Sequence, residues 1–190
     1  MSDSDLMWKT ESRERIFSCV LFDIEKDRRS SSDGRSGDFI SVLSKDWIVA
    51  IPWFRNRDGV ACFLMEDQFR HGAETVVREF PAGLVEKGEE HEAAARRELL
   101  EETGFRGDFH LLGTVNPNSA FMANSQSFFF VDNLEKIAGQ SLDENEQIKI
   151  VEVPVKEAIE NMGKGIYSNG IMMGALGFFL RYSMDHPEYL

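Results

Sequence analysis

Short runs of β-branched and aromatic residues, separated by polar or glycine-containing segments, recur along the chain and predict β-strands. The predicted strands are residues 16–24, 38–43, 47–53, 60–68, 75–80, 109–115, 126–132 and 148–153. Residues 47–53 and 60–68 flank an Asp-Gly turn, and this pattern predicts a hairpin. The polar segments 28–38, 116–125 and 140–147 are predicted to be loops. Residues 1–13 are predicted to be disordered or loosely attached.

Three segments have helical composition. The clearest is residues 89–103, rich in Ala, Glu, Arg and Leu, with Gly104 just past its end as a C-cap. Residues 156–162 and 171–184 are the other two predicted helices. Strands interspersed with helices in this order predict an α/β fold, in which helices pack on both faces of a mixed β-sheet.

Length and composition suit one globular domain, or one domain with a short extension. The chain has 190 residues, of which 42% are hydrophobic and 28% charged. No stretch of about 18 apolar residues predicts a membrane span, and the polar N-terminus lacks the apolar core of a signal peptide. Cys19 and Cys62 are expected to be reduced, buried thiols. We therefore expect a cytoplasmic protein.

The net charge of −12 changes the range of expected ligands. A general nucleic-acid binder needs a basic surface, so no nucleic-acid partner is expected. A phosphate-bearing small molecule would be repelled unless bound cations dominate the local field. Most of the negative charge is explained by an acidic surface that keeps the protein in solution.

Three glutamates on the clearest predicted helix could bind such cations. Glu98, Glu101 and Glu102 are spaced i, i+3 and i+4 and therefore share one face. Their mutual repulsion is unfavourable unless a positive group lies among them, and carboxylate oxygens suit Mg²⁺ or Mn²⁺. Arg97 is placed to pair with Glu89 or Glu101. Taken alone, such a run is usually a solvated helix face; its sequence context favours a metal site.

That context is residues 83–105, which read GLVEKGEEHEAAARRELLEETGF. The segment resembles the Nudix box without a departure from its pattern. The matching positions are Gly83, Glu89, Arg97, Glu98, Leu99, Glu101, Glu102, Gly104 and Phe105. The resemblance implies a Nudix α/β/α sandwich over residues 47–190. Residues 1–46 would form an N-terminal extension with β-strands that helps to build a dimer.

Segments outside the box are similar to the branch of ADP-ribose and nucleotide-sugar pyrophosphatases. Residues 68–70 read Gln-Phe-Arg, residues 79–83 read Glu-Phe-Pro-Ala-Gly, and residues 143–146 form an acidic loop, Asp-Glu-Asn-Glu. Pro117 matches a proline that follows the box in a looser register, and Gly165-Ile166 is a partial match to a segment before the last helix.

The resemblance also implies a role for each matching residue. Those expected to bind metal are the Ala82 carbonyl, Glu98, Glu101 (directly or through water), Glu102 and Glu146. Arg70 and Glu79 are expected to bind substrate, Arg70 because a guanidinium suits phosphate oxygens. Glu102 and the loop residues Glu144 and Glu146 are the expected catalytic groups, one loop glutamate orienting the attacking water. Gly83, Glu89 and Arg97 are expected to support the loop and helix.

The implied reaction is Mg²⁺- or Mn²⁺-dependent hydrolysis of a pyrophosphate bond. The expected substrate is a nucleoside diphosphate derivative such as ADP-ribose or a nucleotide sugar, which would give a nucleoside monophosphate and a sugar phosphate. Two alternatives use the same fold: a house-cleaning hydrolase of nucleoside triphosphates, and a non-catalytic nucleotide sensor, which would have lost metal ligands. Members of the branch are often homodimers, so a homodimer is expected. The preferred base and sugar, and the choice between Glu144 and Glu146, stay open.

Overall fold

The computed structural model describes residues 2–190, which form two compact units. The N-terminal unit consists of residues 2–46 and Asn116–Ser125, and the main unit of Trp47–Val115 and Gln126–Leu190. Segment Asn116–Ser125, predicted as a loop, belongs to the N-terminal unit because the backbone N–H of Val42 donates to Phe121 and that of Ala123 to Val42. Among residues 2–190, no helix is long and apolar enough to cross a bilayer.

The N-terminal unit holds a three-stranded antiparallel sheet in the order β1-β2-β3. Its strands are Trp8–Ser18, Phe22–Ser31 and Ser36–Ser44, and a short 3₁₀ helix, Asp3–Leu6, precedes them. The prediction of disorder for residues 1–13 is therefore wrong for the described residues. The single strand predicted at 16–24 is also wrong, because a turn at residues 19–21 divides it, and residues 28–38 belong mostly to strands rather than a loop. Cys19 lies in that turn, so it is exposed rather than buried.

The main unit contains a seven-stranded mixed sheet. Its central order is β10-β5-β4-β9-β8, β6 pairs with β5, and β7 pairs with β4. The strands are β4 (Trp47–Arg55), β5 (Ala61–Arg70), β6 (Thr75–Glu79), β7 (Ala82–Leu84), β8 (Phe105–Val115), β9 (Gln126–Lys136) and β10 (Ile148–Pro154). β4 and β9 run parallel, and the other pairs are antiparallel. The predicted hairpin between β4 and β5 is confirmed.

Helices cover both faces of this sheet, as predicted. The helices are α1 (His91–Thr103), α2 (Val155–Glu160) and α3 (Gly170–Ser183), each within two residues of its predicted bounds. Successive strand residues point to opposite faces. On β9, Phe128 and Phe130 therefore join the core beneath α2 and α3, whereas Phe129 and Val131 pack on the α1 side. The α/β fold with a mixed sheet between helices is confirmed.

Candidate functional site

Arg97 ties helix α1 to the loop that precedes it. Its guanidinium donates to both carboxylate oxygens of Glu89, each at 3.0 Å, and to the carbonyl of Leu84 at 3.1 Å. It also donates to Glu98 at 2.7 Å and to Glu101 at 3.1 Å. The hydrogen bonds from Arg97 lower the pKa of Glu89, so that carboxyl stays ionised. Arg97 and Glu89 thus join helix α1 to the segment that precedes it.

Gly83 provides the space that Glu98 occupies. A Cβ built on Gly83 would lie 2.0 Å from the Glu98 carboxyl carbon and 2.0 Å from one of its oxygens. Gly83 does not adopt a positive φ, so its requirement is close approach rather than backbone conformation. Burial is the main cause that raises the pKa of Glu98, although its bond from Arg97 lowers it. The Glu98 carboxylate therefore lies where strand β7 and helix α1 come together, and it is partly shielded from water.

Glu102 lies deeper in the same place. It is 5% exposed, and one of its carboxylate oxygens accepts a hydrogen bond from the backbone N–H of Ala82 at 3.1 Å. Burial raises its pKa most, followed by the negative charges of Glu66 and Glu98. Glu101, by contrast, has 44% of its side-chain surface exposed. The three glutamates predicted to share a helix face thus differ in exposure, from the buried Glu102 to the half-exposed Glu101.

Glu66 also belongs to this cluster, although it is not among the residues predicted from the sequence. It lies on β5 opposite Glu79 of β6 and is fully buried. Neither of its carboxylate oxygens has a hydrogen-bond partner. Burial raises its pKa most, and the charge of Glu79 raises it further. The available signal was an acidic residue inside a run of otherwise apolar strand positions, LMEDQF, because a buried charge without a partner is costly.

Arg70, at the end of β5, pairs with the buried Glu79 at the end of β6. The Arg70 guanidinium donates to one oxygen of Glu79 from Nε at 2.8 Å and from a terminal nitrogen at 2.5 Å. The other oxygen accepts a hydrogen bond from the side-chain amide of Asn169. Asn169 also caps α3 by accepting from the N–H of Ile171 at 2.9 Å. Arg70 keeps 41% of its side-chain surface exposed and can still reach a ligand, whereas Glu79 has no exposed surface.

The acidic loop starts against the C-terminal end of α1. Gln140 donates to the carbonyl of Glu102 at 2.8 Å, and the N–H of Ser141 donates to that of Glu101 at 2.8 Å. Gly104 ends the helix with a φ of +76°, and a Cβ there would lie 2.2 Å from the carbonyl oxygen of Ala138. Only glycine fits both restrictions without strain.

The two glutamates of the acidic loop differ in exposure. Glu144 is exposed, whereas Glu146 is half-buried and accepts a hydrogen bond from the N–H of Asp143 at 3.1 Å. The charge of Glu146 also contributes to the raised pKa of Glu66, Glu98 and Glu102. Glu146 is therefore within electrostatic reach of the buried carboxylates.

Within residues 2–190, no group of three His, Cys, Asp or Glu side chains is already arranged to hold a metal ion. Arg97 donates to one oxygen of Glu98 and the Ala82 N–H donates to one oxygen of Glu102, so each carboxylate retains a second oxygen that could bind a cation. The donor chemistry nevertheless fits a hard divalent cation, since the cluster offers carboxylate oxygens, and those of Glu66 have no partner. Such a cation would compensate charges that the protein itself leaves close together.

The buried carboxylates should make the metal-free protein less stable as pH rises from 5 to 8. An unfolded glutamate loses its proton near pH ~4.3, whereas burial raises the pKa of Glu102 and Glu66 in the folded state. The folded state therefore holds more protons in this window, and each extra proton costs about 1.4 kcal/mol of stability per pH unit. Thermal melts in EDTA should show the fall, and Glu102→Gln should flatten it. A melting temperature that rises across this window in EDTA would contradict the prediction.

Comparison with known proteins places the chain among proteins of one family. The NUDIX domain model matches residues 45–169. The chain is 28% identical over 154 residues to an ADP-ribose pyrophosphatase from Bacillus subtilis strain 168, covering 80% of this chain and 81% of that protein. It is 26% identical over 181 residues to a methanol dehydrogenase activator from Bacillus methanolicus, covering 94% and 96% of the two chains.

Two further proteins are also similar to this chain. An ADP-sugar pyrophosphatase from Mus musculus is 38% identical over 84 residues, covering 44% of this chain and 35% of the mouse protein. A crystal structure of an ADP compounds hydrolase superposes with a TM-score of 0.83, covering 95% of this chain and 96% of that one at 18% identity. That likeness establishes the fold. Since the family match spans more than half of the chain, the protein belongs to the NUDIX domain family: it is a Nudix hydrolase, similar to the ADP-ribose and ADP-sugar pyrophosphatases.

Proposed function

We propose that the protein hydrolyses the pyrophosphate bond of a nucleoside diphosphate derivative, with ADP-ribose or a nucleotide sugar as substrate, in a Mg²⁺-dependent reaction that Mn²⁺ also supports. The observation that carries the proposal is the carboxylate cluster of Glu66, Glu98 and Glu102, which is withdrawn from water beside a glycine that leaves room for it. The similarity to an ADP-ribose pyrophosphatase of Bacillus subtilis and an ADP-sugar pyrophosphatase of the mouse supports the substrate class.

In this reaction, each residue of the site would have its own role. Glu98 and Glu102, together with the Ala82 carbonyl, Glu101 and Glu146, would hold the cations. Bound Mg²⁺ would neutralise the diphosphate and make a water molecule more acidic.

Arg70 would donate to the phosphate oxygens through the part of its guanidinium that faces solvent. Glu79 would act on the substrate through Arg70, because its own oxygens are occupied by Arg70 and Asn169. Glu146 would orient or deprotonate the attacking water, since it is the loop glutamate whose charge acts on the cluster.

The substrate class is tested by comparing specificity constants at one Mg²⁺ concentration. We expect kcat/KM to be higher for ADP-ribose or a nucleotide sugar than for any nucleoside triphosphate. A triphosphate would leave the sugar-side contacts unmade and so lose their contribution to transition-state binding. A clear preference for a triphosphate would favour the house-cleaning alternative. The absence of hydrolysis for all these compounds, together with tight ADP-ribose binding, would favour the sensor.

We also propose that the protein is a homodimer formed through its N-terminal sheet. Several large apolar side chains of that unit are exposed: Ile16 at 50%, Phe17 at 49%, Val20 at 98% and Leu21 at 65%. Several large apolar side chains exposed within one short segment are typical of a protein interface. The two free cysteines, one of them exposed, support a reducing compartment such as the cytoplasm.

Changing Phe17 to Asp should shift the protein from dimer to monomer, because a charge would be buried in the interface. Light scattering coupled to size-exclusion chromatography measures the mass. Met184→Asp is the control, since Met184 is a large apolar residue of the main unit that is 81% exposed. A wild-type protein that is monomeric and fully active would refute the dimer.

A further inference from the structure

Glu66 has a carboxyl group to which none of the described residues donates a hydrogen bond. Its side chain has no exposed surface, and neither oxygen accepts a hydrogen bond. Its cross-strand neighbour Glu79 is the opposite case, because Arg70 and Asn169 bind its two oxygens. Leaving an ionised carboxylate buried and unpaired costs several kcal/mol (order of magnitude). A fold that keeps such a group is expected to use it.

The strand geometry places Glu66 on the side of the sheet where the cluster lies. Alternate residues of a strand point to opposite faces. Phe63 and Met65 belong to the core cluster that contains residues of α2 and α3, so Glu66 points to the other face. Residue Arg70 lies on that same face, four positions along β5. On this face of β5, Glu66 therefore lies in the interior, and the partly exposed guanidinium of Arg70 lies nearer to the surface.

Several charged groups lie within electrostatic reach of Glu66. The charge of Glu66 contributes to the raised pKa of Glu102, and Glu98 and Glu146 act on Glu66 in turn. Arg70 is the cation that acts on Glu66 most strongly, but it is already bonded to Glu79. A divalent cation shared between Glu66 and Glu102 would compensate both carboxylates. Hard oxygen ligands at the base of a buried cluster suit Mg²⁺ or Mn²⁺.

We propose that Glu66 is a further ligand of the divalent-metal site, coordinating from strand β5 the cation that Glu98 and Glu102 coordinate from helix α1. The inference rests on the metal dependence within the proposed function. It adds a residue outside the 83–105 segment and gives a role to a carboxylate of the cluster to which the proposed hydrolysis assigns none.

The test is calorimetric titration of the whole protein with Mn²⁺ in the absence of substrate. We expect Glu66→Gln to raise the Kd for Mn²⁺ by about tenfold or more. Glu152→Gln is the matched control: it removes the same charge from an exposed position on β10, beside β5, and should leave the Kd unchanged. Glu102→Gln is the reference for loss of a proposed ligand. Melting curves in EDTA provide a second readout, in which Glu66→Gln should be at least as stable as the wild type.

The outcomes separate this inference from the proposed function. If folded Glu66→Gln binds Mn²⁺ with wild-type affinity while Glu102→Gln does not, Glu66 is not a ligand and the proposed metal site stands. If the Gln variants of Glu66, Glu98 and Glu102 all keep wild-type affinity, the proposed metal site fails as well. If Glu66→Gln does not fold, Glu66→Met replaces the carboxylate by an apolar group of similar size, and the same two results decide.

Discussion

Changing Glu102 to glutamine should lower kcat/KM for the preferred substrate by about a hundredfold or more, the scale expected when electrostatic stabilisation of a transition state is lost. Glu102 is the most buried glutamate of the 83–105 segment, at 5% exposure, and its pKa is raised by burial and by its acidic neighbours. Glutamine keeps the size of the side chain and can still accept the N–H of Ala82, so the fold should survive. Glu98→Gln should have an effect of similar size.

Steady-state kinetics at a fixed Mg²⁺ concentration measure this loss, and circular dichroism confirms folding. Glu92→Gln is the control on the same helix, because Glu92 is exposed and paired only at the surface with Arg96. Without metal, Glu102→Gln should melt at a higher temperature than the wild type, since it removes repulsion among buried carboxylates. A correctly folded Glu102→Gln protein with near-wild-type activity would show that the catalytic centre has been placed wrongly.

Glu146→Gln should lower kcat by about a hundredfold or more while changing KM little, as expected when a group that orients or deprotonates the attacking water is lost. Glu146 lies in a loop whose beginning is fixed to α1 by Gln140 and Ser141. The rest of the loop can close over a bound substrate, exclude water and complete the site. Its half-buried carboxylate already acts on Glu98 and Glu102.

Glu144→Gln is the matched control, since Glu144 lies two residues away in the same loop and is exposed. Single-turnover kinetics at saturating Mg²⁺ separate the chemical step from substrate binding. A larger loss in Glu144→Gln than in Glu146→Gln would reverse the assignment. Wild-type single-turnover rates in both variants would exclude the acidic loop from the chemistry.

Local patterns in the sequence determined much of the main unit. The helix at residues 91–103 follows from its composition and the glycine that ends it, and the β4–β5 hairpin follows from the Asp-Gly turn. The fixed spacing of residues 83–105 also determined which glutamates share a helix face, because 3.6 residues per turn leave no other arrangement. Such properties depend on neighbours within a few residues and can be read from the chain directly.

The N-terminal sheet illustrates what local patterns do not decide. Strand β1 reads WKTESRERIFS and is exposed at most positions, so it lacks the apolar alternation that marks a half-buried strand. It is a strand because its backbone pairs with β2, which in turn pairs with β3. The attachment of residues 116–125 to Val42, by contrast, joins segments far apart in sequence.

The residues of the candidate site also fall into two groups, those determined by local sequence and those brought together only by tertiary structure. The sequence alone determined Glu98, Glu101, Glu102 and the glycine before them, because their relation is a spacing within one segment. Tertiary structure alone decided that Glu66 lies within electrostatic reach of Glu102 and that Asn169 donates a hydrogen bond to Glu79. Those residues come from β5 and from the start of α3, and only the pairing of strands and the packing of helices bring them to one place. The compensation of a buried charge depends on that three-dimensional neighbourhood, which no local spacing encodes.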